Sequence, residues 1–272
     1  AWGTEIGVDY TKRLGQVTIN VGGTFSYARN KVKDKLEKIQ IYQNLVSTGL
    51  PVGQLFGLKA IGLFKDQADI DNSPKQTFST VYPGDIKYED VNGDNKIDAN
   101  DVVAIGHGTT TPETYYTINL GAEWKGLGFT ALFQGVGRYS SMLNAAGLYR
   151  PLMGKTSLSE YYYKNRWTVD NPNALFPRLS TQSNSNNYRN STFWLRDGSF
   201  FKLRNIEVYY NFPKSVLSAL KIVNNAKIYV RGNDLFTLDH IAESTPEQLQ
   251  SANNGATNPL TRSVVFGLQV GF

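Results

Sequence analysis

Six residues between positions 90 and 101 have the types and spacing of a calcium-binding loop. They stand at relative positions 1, 3, 5, 7, 9 and 12 of a twelve-residue stretch: Asp90, Asn92, Asp94, Lys96, Asp98 and Asp101. Carboxylate and amide oxygens are the ligands that Ca²⁺ prefers, and the seventh position of such loops supplies a backbone carbonyl. The spacing predicts an EF-hand-like or dockerin-like loop within residues 84–106, in which calcium has a structural role.

Two departures from the usual loop pattern leave an alternative open. Position 6 is Asn95 instead of glycine, with Gly93 one place before the expected turn, and Asp101 is shorter than the usual glutamate. Asn tolerates the left-handed conformation that this position requires, so the turn is still compatible with the sequence. Without a metal, the same residues would form an Asx-rich turn, since Asp, Asn and Gly dominate turns.

Other residues are weaker candidates for a functional site. His107 and His240 are isolated, and we interpret both as surface residues. Within the aromatic stretch Tyr161–Trp167, Tyr163 and Trp167 are candidates for stacking on sugar rings, although they would equally pack a loop against its scaffold. No Ser, His and Asp set stands out, and no acid pair can be singled out for glycoside hydrolysis. The sequence therefore predicts a protein that is not an enzyme, with its substrate-binding residues otherwise unknown.

The composition narrows the class of protein. The 272 residues include 4 Trp, 16 Tyr, 14 Phe and 25 Gly, with no Cys and a net charge of +5. Basic residues cluster only at Lys31–Lys38, so no nucleic-acid partner is predicted. No apolar run approaches the roughly 18 residues of a transmembrane helix. We expect a β protein. The strand pattern begins at residue 1, so this residue resembles the end left by a cut instead of a natural start of the chain.

The elements that must position these residues are strands with a period of two. In the final stretch, Thr261–Phe272, every second residue is apolar and the residues between them are mostly small or polar. The same alternation predicts about seven strands in all, near residues 2–10, 17–27, 116–124, 127–133, 204–212, 226–232 and 263–272. Each predicted strand has one apolar and one polar face.

The predicted connections alternate between short and long. Short turns are expected at Lys12–Gly15, Lys125–Gly126 and Pro213–Asn225, and long loops at Asn30–Thr114, Tyr139–Ser199 and Asp239–Leu260. This alternation is typical of an up-and-down transmembrane β-barrel, whereas a β-sandwich has no reason to sort its connections. Seven strands would leave unpaired edges, so we expect further strands from the rest of a larger protein.

Several stretches together resemble the SusC/RagA family of TonB-dependent outer-membrane transporters. They are LPVGQLFGLKAIGLF (Leu50–Phe64), GDIKYEDVNGDNKIDANDVVAIG (Gly84–Gly106), NRWTVDNPNALFPRL (Asn165–Leu179), WLRDGSFFKLRNIEVYYNFP (Trp194–Pro213), IYVRGNDLFTL (Ile228–Leu238) and the closing strand. The resemblance implies that residues 1–272 are the C-terminal segment of a 22-stranded antiparallel barrel with long extracellular loops. The plug domain and the N-terminal strands of that barrel would be absent.

The resemblance also implies a function. Such transporters import glycans, and sometimes peptides, across the outer membrane of Gram-negative, Bacteroidetes-like bacteria. They work with a SusD-like surface lipoprotein, and with TonB through the plug region, which is absent here. Phe272 resembles the terminal aromatic signal for barrel assembly. The alternative is a secreted β-sandwich, a carbohydrate-binding or adhesion module with a calcium loop.

Overall fold

The computed structural model describes residues 1–107, 111–144, 150–153, 156–220, 222–243, 245–247 and 260–272. Much of the loop predicted at Asp239–Leu260 therefore lies outside the described residues. The strands are β1 (Trp2–Leu14), β2 (Val17–Arg29), β3 (Phe56–Gly57), β4 (Ala60–Leu63), β5 (Lys75–Gln76), β6 (Ile86–Tyr88), β7 (Lys96–Ile97), β8 (Val103–Ala104), β9 (Thr114–Trp124), β10 (Leu127–Gly137), β11 (Ser140–Met142), β12 (Leu195–Asp197), β13 (Phe200–Asn211), β14 (Asn225–Asp239) and β15 (Ser263–Gly271). Short helices are α1 (Gln67–Asp71), α2 (Glu160–Asn165) and α3 (Lys214–Leu217), with 3₁₀ turns at Gln43–Leu45, Ala99–Asp101 and Ser218–Leu220.

Seven long strands form one antiparallel sheet in the order β1-β2-β9-β10-β13-β14-β15. Each strand pairs with the next long strand along the chain, so the predicted up-and-down topology is confirmed. The connections β1–β2, β9–β10 and β13–β14 lie at one end of the sheet, and the long connections lie at the other. The predicted all-β fold with about seven strands is confirmed.

The short turns follow from left-handed backbone positions. Lys125 and Gly126 have φ values of 49° and 88°, which are the two positive angles of a type I′ hairpin turn. A Cβ on Gly126 would also lie 2.5 Å from the carbonyl oxygen of Asn211, so this position requires glycine. The first turn is Gly15–Gln16 instead of the predicted Lys12–Gly15, because β1 continues until Leu14 pairs with Val17.

The pairing has one irregular region. Leu132 and Phe133 of β10 pair with Asn205 and Leu203 of β13, which leaves Arg204 as an extra residue. β14 accommodates the same region with Asp234 in the left-handed conformation. Such bulges increase the twist of a strand and redirect side chains, and here they place Arg204 among polar groups.

The buried core lies in the loops and not in the sheet. We use the term loop layer for the described residues within 30–113, 138–199 and 240–247. Its core residues are apolar and come from all three long connections: Leu58, Ile86, Tyr88, Ile97, Ile105, Met142, Leu143, Tyr162, Phe176, Trp194 and Ile241. The three connections predicted as long loops therefore pack together around a common core.

A buried polar cluster joins two of the long connections. Asp85 is fully buried and accepts hydrogen bonds from Asn184 Nδ2 at 2.8 Å and Asn187 Nδ2 at 3.0 Å. Arg178 Nε lies 2.8 Å from the same carboxylate. Buried charges require such partners, so this cluster fixes the second loop against the first.

The apolar face of the sheet is uncovered. Val8, Phe266 and Leu268 are 61%, 78% and 68% exposed. A β-sandwich would bury this face against a second sheet, so the sandwich alternative does not describe this fold. A separate finding concerns helices: within the described part of the chain, none is long and apolar enough to cross a membrane.

Candidate functional site

The register of the sheet makes one face continuously apolar. Val21 of β2 pairs with Leu120 of β9, which pairs with Ala131 of β10, and Ala131 pairs with Ile206 of β13. Farther along, Val230 of β14 pairs with Phe266 of β15. Directly paired residues lie on the same face, so the alternation predicted for each strand combines into one apolar surface across all seven.

Aromatic residues border this surface at both ends. At the loop end, Phe133 and Phe201 stack with ring centroids 5.4 Å apart, and Tyr116 lies 6.2 Å from Phe201. At the turn end lie Trp124 and Tyr210. Tyr116 and Trp124 are eight residues apart, which corresponds to about 27 Å along the strand and about 21 Å at a tilt of about 40°. An apolar band of this height between aromatic girdles is the outer surface of a membrane-spanning barrel wall.

The opposite face is polar and carries ion pairs. Glu207 of β13 is 5% exposed and accepts hydrogen bonds from Lys227 Nζ at 2.5 Å and Arg231 Nε at 2.8 Å. Tyr209 donates its hydroxyl hydrogen to Glu123 at 2.8 Å. Losing either cation would leave the buried carboxylate of Glu207 without one of its charged partners, which is costly. These contacts therefore fix the cross-strand arrangement of this face.

A row of amides crosses the same face. Asn205 Nδ2 donates to Asn233 Oδ1 at 2.9 Å, and Asn233 Nδ2 donates to Ser263 Oγ at 3.0 Å. On the first hairpin, Thr11 donates to Asn20 Oδ1 at 2.8 Å. This surface therefore consists of hydrogen-bonding groups on the side opposite the apolar band, as expected for the inside of a barrel.

The backbone of the predicted calcium loop has the expected shape. Asn95 has a φ of 63°, the left-handed conformation that position 6 requires. Ile97, at the apolar anchor position, is fully buried in the core of the loop layer. Asp90 accepts from the backbone N–H of Gly93 at 2.8 Å and of Asn95 at 2.7 Å, which closes the first half of the loop.

The donor side chains divide into two groups. Asn92 and Asp94 lie on the exposed side of the turn, where Asn92 Oδ1 accepts from the backbone N–H of Asp94 at 3.0 Å. Lys96 Nζ instead pairs with Asp98, and its hydrogen bond holds the pKa of the Asp98 carboxyl below its ordinary value. Asp101 is fully buried and accepts from the N–H groups of Val91 at 2.9 Å and Asp98 at 2.8 Å.

This arrangement fits calcium only in part. Asp90, Asn92 and Asp94 have the hard oxygen donors that calcium prefers, but these oxygens accept hydrogen bonds from the chain itself, as do those of Asp98 and Asp101. Among the residues that the structure describes, no group of three or more His, Cys, Asp or Glu side chains is arranged to hold a metal ion. Calcium binding by this loop stays a prediction.

Comparison with known proteins identifies relatives of this chain. No protein-family model matches the chain. TonB-dependent receptor P26 of Formosa agariphila is 29% identical over 239 residues, covering 84% of the chain and 23% of the receptor. TonB-dependent receptor P3 of the same organism is 24% identical over 249 residues, covering 86% of the chain and 23% of that receptor. The chain is therefore similar in sequence to TonB-dependent receptors.

The chain shares its fold with part of a solved transporter structure. The RagAB peptide transporter matches with a TM-score of 0.71 and 21% identity, covering 99% of the chain and 29% of the solved chain. The RagAB peptide importer in its closed-closed state matches with a TM-score of 0.71 and 20% identity over the same shares. The sheet therefore corresponds to part of the barrel of a TonB-dependent transporter. The chain spans about a quarter of the length of these relatives.

The two aromatic candidates for sugar stacking have different surroundings. Trp167 lies over the backbone of Gly84, since a Cβ on that glycine would be 2.4 Å from the indole ring. Tyr163 is 51% exposed, and the guanidinium of Arg166 stacks on its ring at 3.8 Å from the centroid. Trp167 packs the loop layer together, and sugar stacking by either residue stays a prediction.

His240 is exposed as predicted, but it is not isolated, since its Nδ1 lies 3.7 Å from a carboxylate oxygen of Asp197. His107 is half-buried, and its backbone N–H donates to Ser140 Oγ at 2.8 Å.

Phe272 follows the last residue of β15. It is 80% exposed and continues the apolar alternation of Leu268 and Val270. Because Gly271 pairs with Asn225 at the start of β14, Phe272 lies at the turn end of the sheet, the end at which Trp124 and Tyr210 also lie. A role for Phe272 as an assembly signal stays a prediction.

Proposed function

We propose that this chain forms part of the barrel wall and loop layer of an outer-membrane importer that uses TonB-dependent energy. The observation that carries the proposal is the two-faced sheet, in which apolar residues of neighbouring strands lie side by side on one face. The related TonB-dependent receptors support a transport role instead of an enzymatic one. Residues 1–272 would be the C-terminal segment of the full barrel, and 84–106 part of an extracellular loop.

The barrel requires strands beyond this sheet. β1 and β15 are the two edges, and each presents unpaired backbone N–H and C=O groups along one side. In lipid each unsatisfied group costs several kcal/mol, so only a closed sheet is stable there. The partners of these edges in our proposal are the remaining strands of the same transporter, to a total of 22, surrounded by outer-membrane lipid.

The proposed complex has two protein partners. A SusD-like surface lipoprotein would bind at the loop layer, which has its own core and extends beyond the barrel wall. TonB would act through a plug region in the rest of the transporter. The organism that carries the related receptors supports an outer membrane of the Bacteroidetes type.

The cargo that we propose is an oligosaccharide, with a peptide as the second candidate. The amides and hydroxyls of the polar face suit ligands rich in hydroxyl groups, because they both donate and accept hydrogen bonds. The solved RagAB neighbour transports peptides, and its 20–21% identity to this chain supports the fold alone.

Import can be tested directly in the native host. Cells that produce the full-length transporter should accumulate a fluorescent oligosaccharide, and a deletion strain should not. A protonophore should abolish accumulation while leaving surface binding intact, because import requires energy from the inner membrane. Accumulation that is unchanged in the deletion strain or by the protonophore would refute TonB-dependent import of that cargo. A fluorescent peptide, tested in parallel, decides between the two cargo classes.

A further inference from the structure

An open cavity of about 570 Å³ lies in the loop layer, and Ala99 and Val102 of the stretch 84–106 contribute to its lining. We call it the arginine cavity, and the residues that line it include Phe56, Phe78 and Tyr188 with Arg150 and Arg189. A volume of this size accommodates a ligand of one or a few rings. Neither the polar face of the sheet nor the predicted calcium loop includes these arginines.

Both arginines are stacked on aromatic rings. The guanidinium carbon of Arg189 lies 4.3 Å from the centroid of the Phe78 ring, and that of Arg150 lies 5.3 Å from the centroid of the Tyr188 ring. Stacking holds a guanidinium by its flat face and leaves its N–H edges directed away from the ring. Each guanidinium therefore has an aromatic ring as a contact that restricts its position.

Arg189 gives the cavity a positive charge that no carboxylate in its described lining balances. The described residues that line it include two arginines and no Asp or Glu. Arg189 is exposed and has no ion pair with any carboxylate in the described part of the chain. A guanidinium edge matches a carboxylate bidentately, and such charge-assisted hydrogen bonds are about twice as strong as neutral ones. The chemistry of the cavity therefore suits an anionic group, and the carboxylate of a sugar acid is one that fits.

The surroundings of the arginines favour a sugar over a peptide. A peptide bound in extended form needs unpaired backbone groups on the protein. Along the cavity wall these groups are already paired: β3 pairs with β8, Leu58 N–H donates to Asn190 O at 2.9 Å, and Thr192 N–H donates to Leu58 O at 3.0 Å. The residues along the wall instead include aromatic and amide types, which suit the faces and hydroxyl groups of a sugar.

We propose that the arginine cavity is a subsite for a uronic acid unit of an acidic oligosaccharide. The inference rests on the proposed function, because it names one chemical class within the cargo of the importer. Arg189 would bind the sugar carboxylate, Arg150 would add a second positive charge, and the aromatic rings would contact the ring face. A neutral oligosaccharide of the same length would lack the main contact.

The test is calorimetric binding to the purified full-length transporter. The probes are tri-galacturonate, the neutral trisaccharide of galactose and an acidic tripeptide. We expect tri-galacturonate to bind, Arg189→Ala to weaken that binding at least about tenfold, and Arg189→Lys to restore part of it, since one charge-assisted contact is removed and then partly replaced. The matched control is Arg166→Ala, which removes another arginine stacked on an aromatic ring but outside the cavity, and it should leave the affinity unchanged.

The outcomes separate this inference from the proposed function. Equal binding of the neutral and acidic sugars, binding of the tripeptide but not of tri-galacturonate, or an unchanged affinity in Arg189→Ala would each overturn the subsite. Thermal unfolding of each variant shows whether it is folded, and Arg189 is exposed, so its substitution should not affect folding. If the transporter imports a neutral oligosaccharide but does not bind tri-galacturonate, the subsite fails while the import function stands.

Discussion

Arginine substitutions on the two faces of β9 should have very different costs. Leu120 is on the apolar face, where it pairs with Val21 and Ala131, and it lies four residues from Trp124 at the turn end. Four residues correspond to about 14 Å along the strand and to about 10 Å of depth at a tilt of about 40°. Because the apolar band of a barrel is about 25 Å tall, Leu120 lies near its midplane.

The expected magnitude follows from that depth. Leu120→Arg should destabilise the barrel by about 2–4 kcal/mol, which is the cost of an arginine at the bilayer midplane. Asn119→Arg is the matched control, since it adds the same side chain at the adjacent position on the polar face. Asn119 pairs with Gly22, which has no side chain to obstruct the new one. We expect Asn119→Arg to change the free energy of unfolding by less than about 1 kcal/mol, as is usual for surface substitutions.

The assay is reversible unfolding of the full-length transporter in lipid vesicles, followed by tryptophan fluorescence in a denaturant series. Leu268→Arg and Gln269→Arg repeat the comparison on β15, at the edge of the sheet. Equal losses of stability for the two faces of either strand would refute the assignment of the apolar face to lipid.

Three further predictions concern the loops and the chain end. A short epitope inserted after Asn72 should bind antibody on intact cells, since the long connections are expected outside the cell; labelling only in broken cells would contradict this orientation. Calcium should protect the loop at 84–106 from proteolysis relative to a chelator, because a ligand that binds only the folded state stabilises it, and Asp94→Ala should abolish the protection. Equal cleavage rates with calcium and with chelator would show that the loop folds without the metal. Two polar residues added after Phe272 should lower the surface level of the transporter if this aromatic is an assembly signal, whereas a normal level would leave it only a packing role.

The strands could be predicted from the sequence because their side chains alternate with a period of two. Both the apolar face and the short turn at Lys125–Gly126 follow from local residue types, which act between neighbours in sequence. The strand ends were less accurate, since β1 and β14 extend several residues beyond their apolar alternation. Pairing with the adjacent strand, and not local composition, determines where they end.

The loop layer could not be predicted in the same way. Its core joins Leu58, Ile97, Met142 and Trp194, which are far apart in sequence and follow no regular spacing. Asp85 and its amide partners are about a hundred residues apart, so the Asn-rich stretch at 184–187 resembled an irregular segment. Contacts of this kind leave no periodic signal, because they depend on how three separate connections fold onto one another.

In the candidate sites, too, local features could be predicted from the sequence and contacts that depend on the fold could not. The backbone of the calcium loop could be predicted, since Asn95 and Ile97 have the roles that the twelve-residue spacing gives them. The ion pair of Lys96 with Asp98 could not be predicted, because the calcium-loop pattern uses only the backbone carbonyl of position 7 and places no requirement on its side chain. No sequence motif marks Arg150 or Arg189, and only the fold brings them to one cavity.

The central claim is that the seven strands form a membrane wall with lipid on one face. It is tested most directly by spin labels at single cysteines, Leu268→Cys and Gln269→Cys, in the full-length transporter in lipid bilayers. The chain has no cysteine of its own, so within it each label reports one position. The account predicts that the label at 268 is relaxed by oxygen, which concentrates in lipid, and that the label at 269 is not. Equal accessibility of both positions to oxygen would contradict a lipid-facing barrel wall.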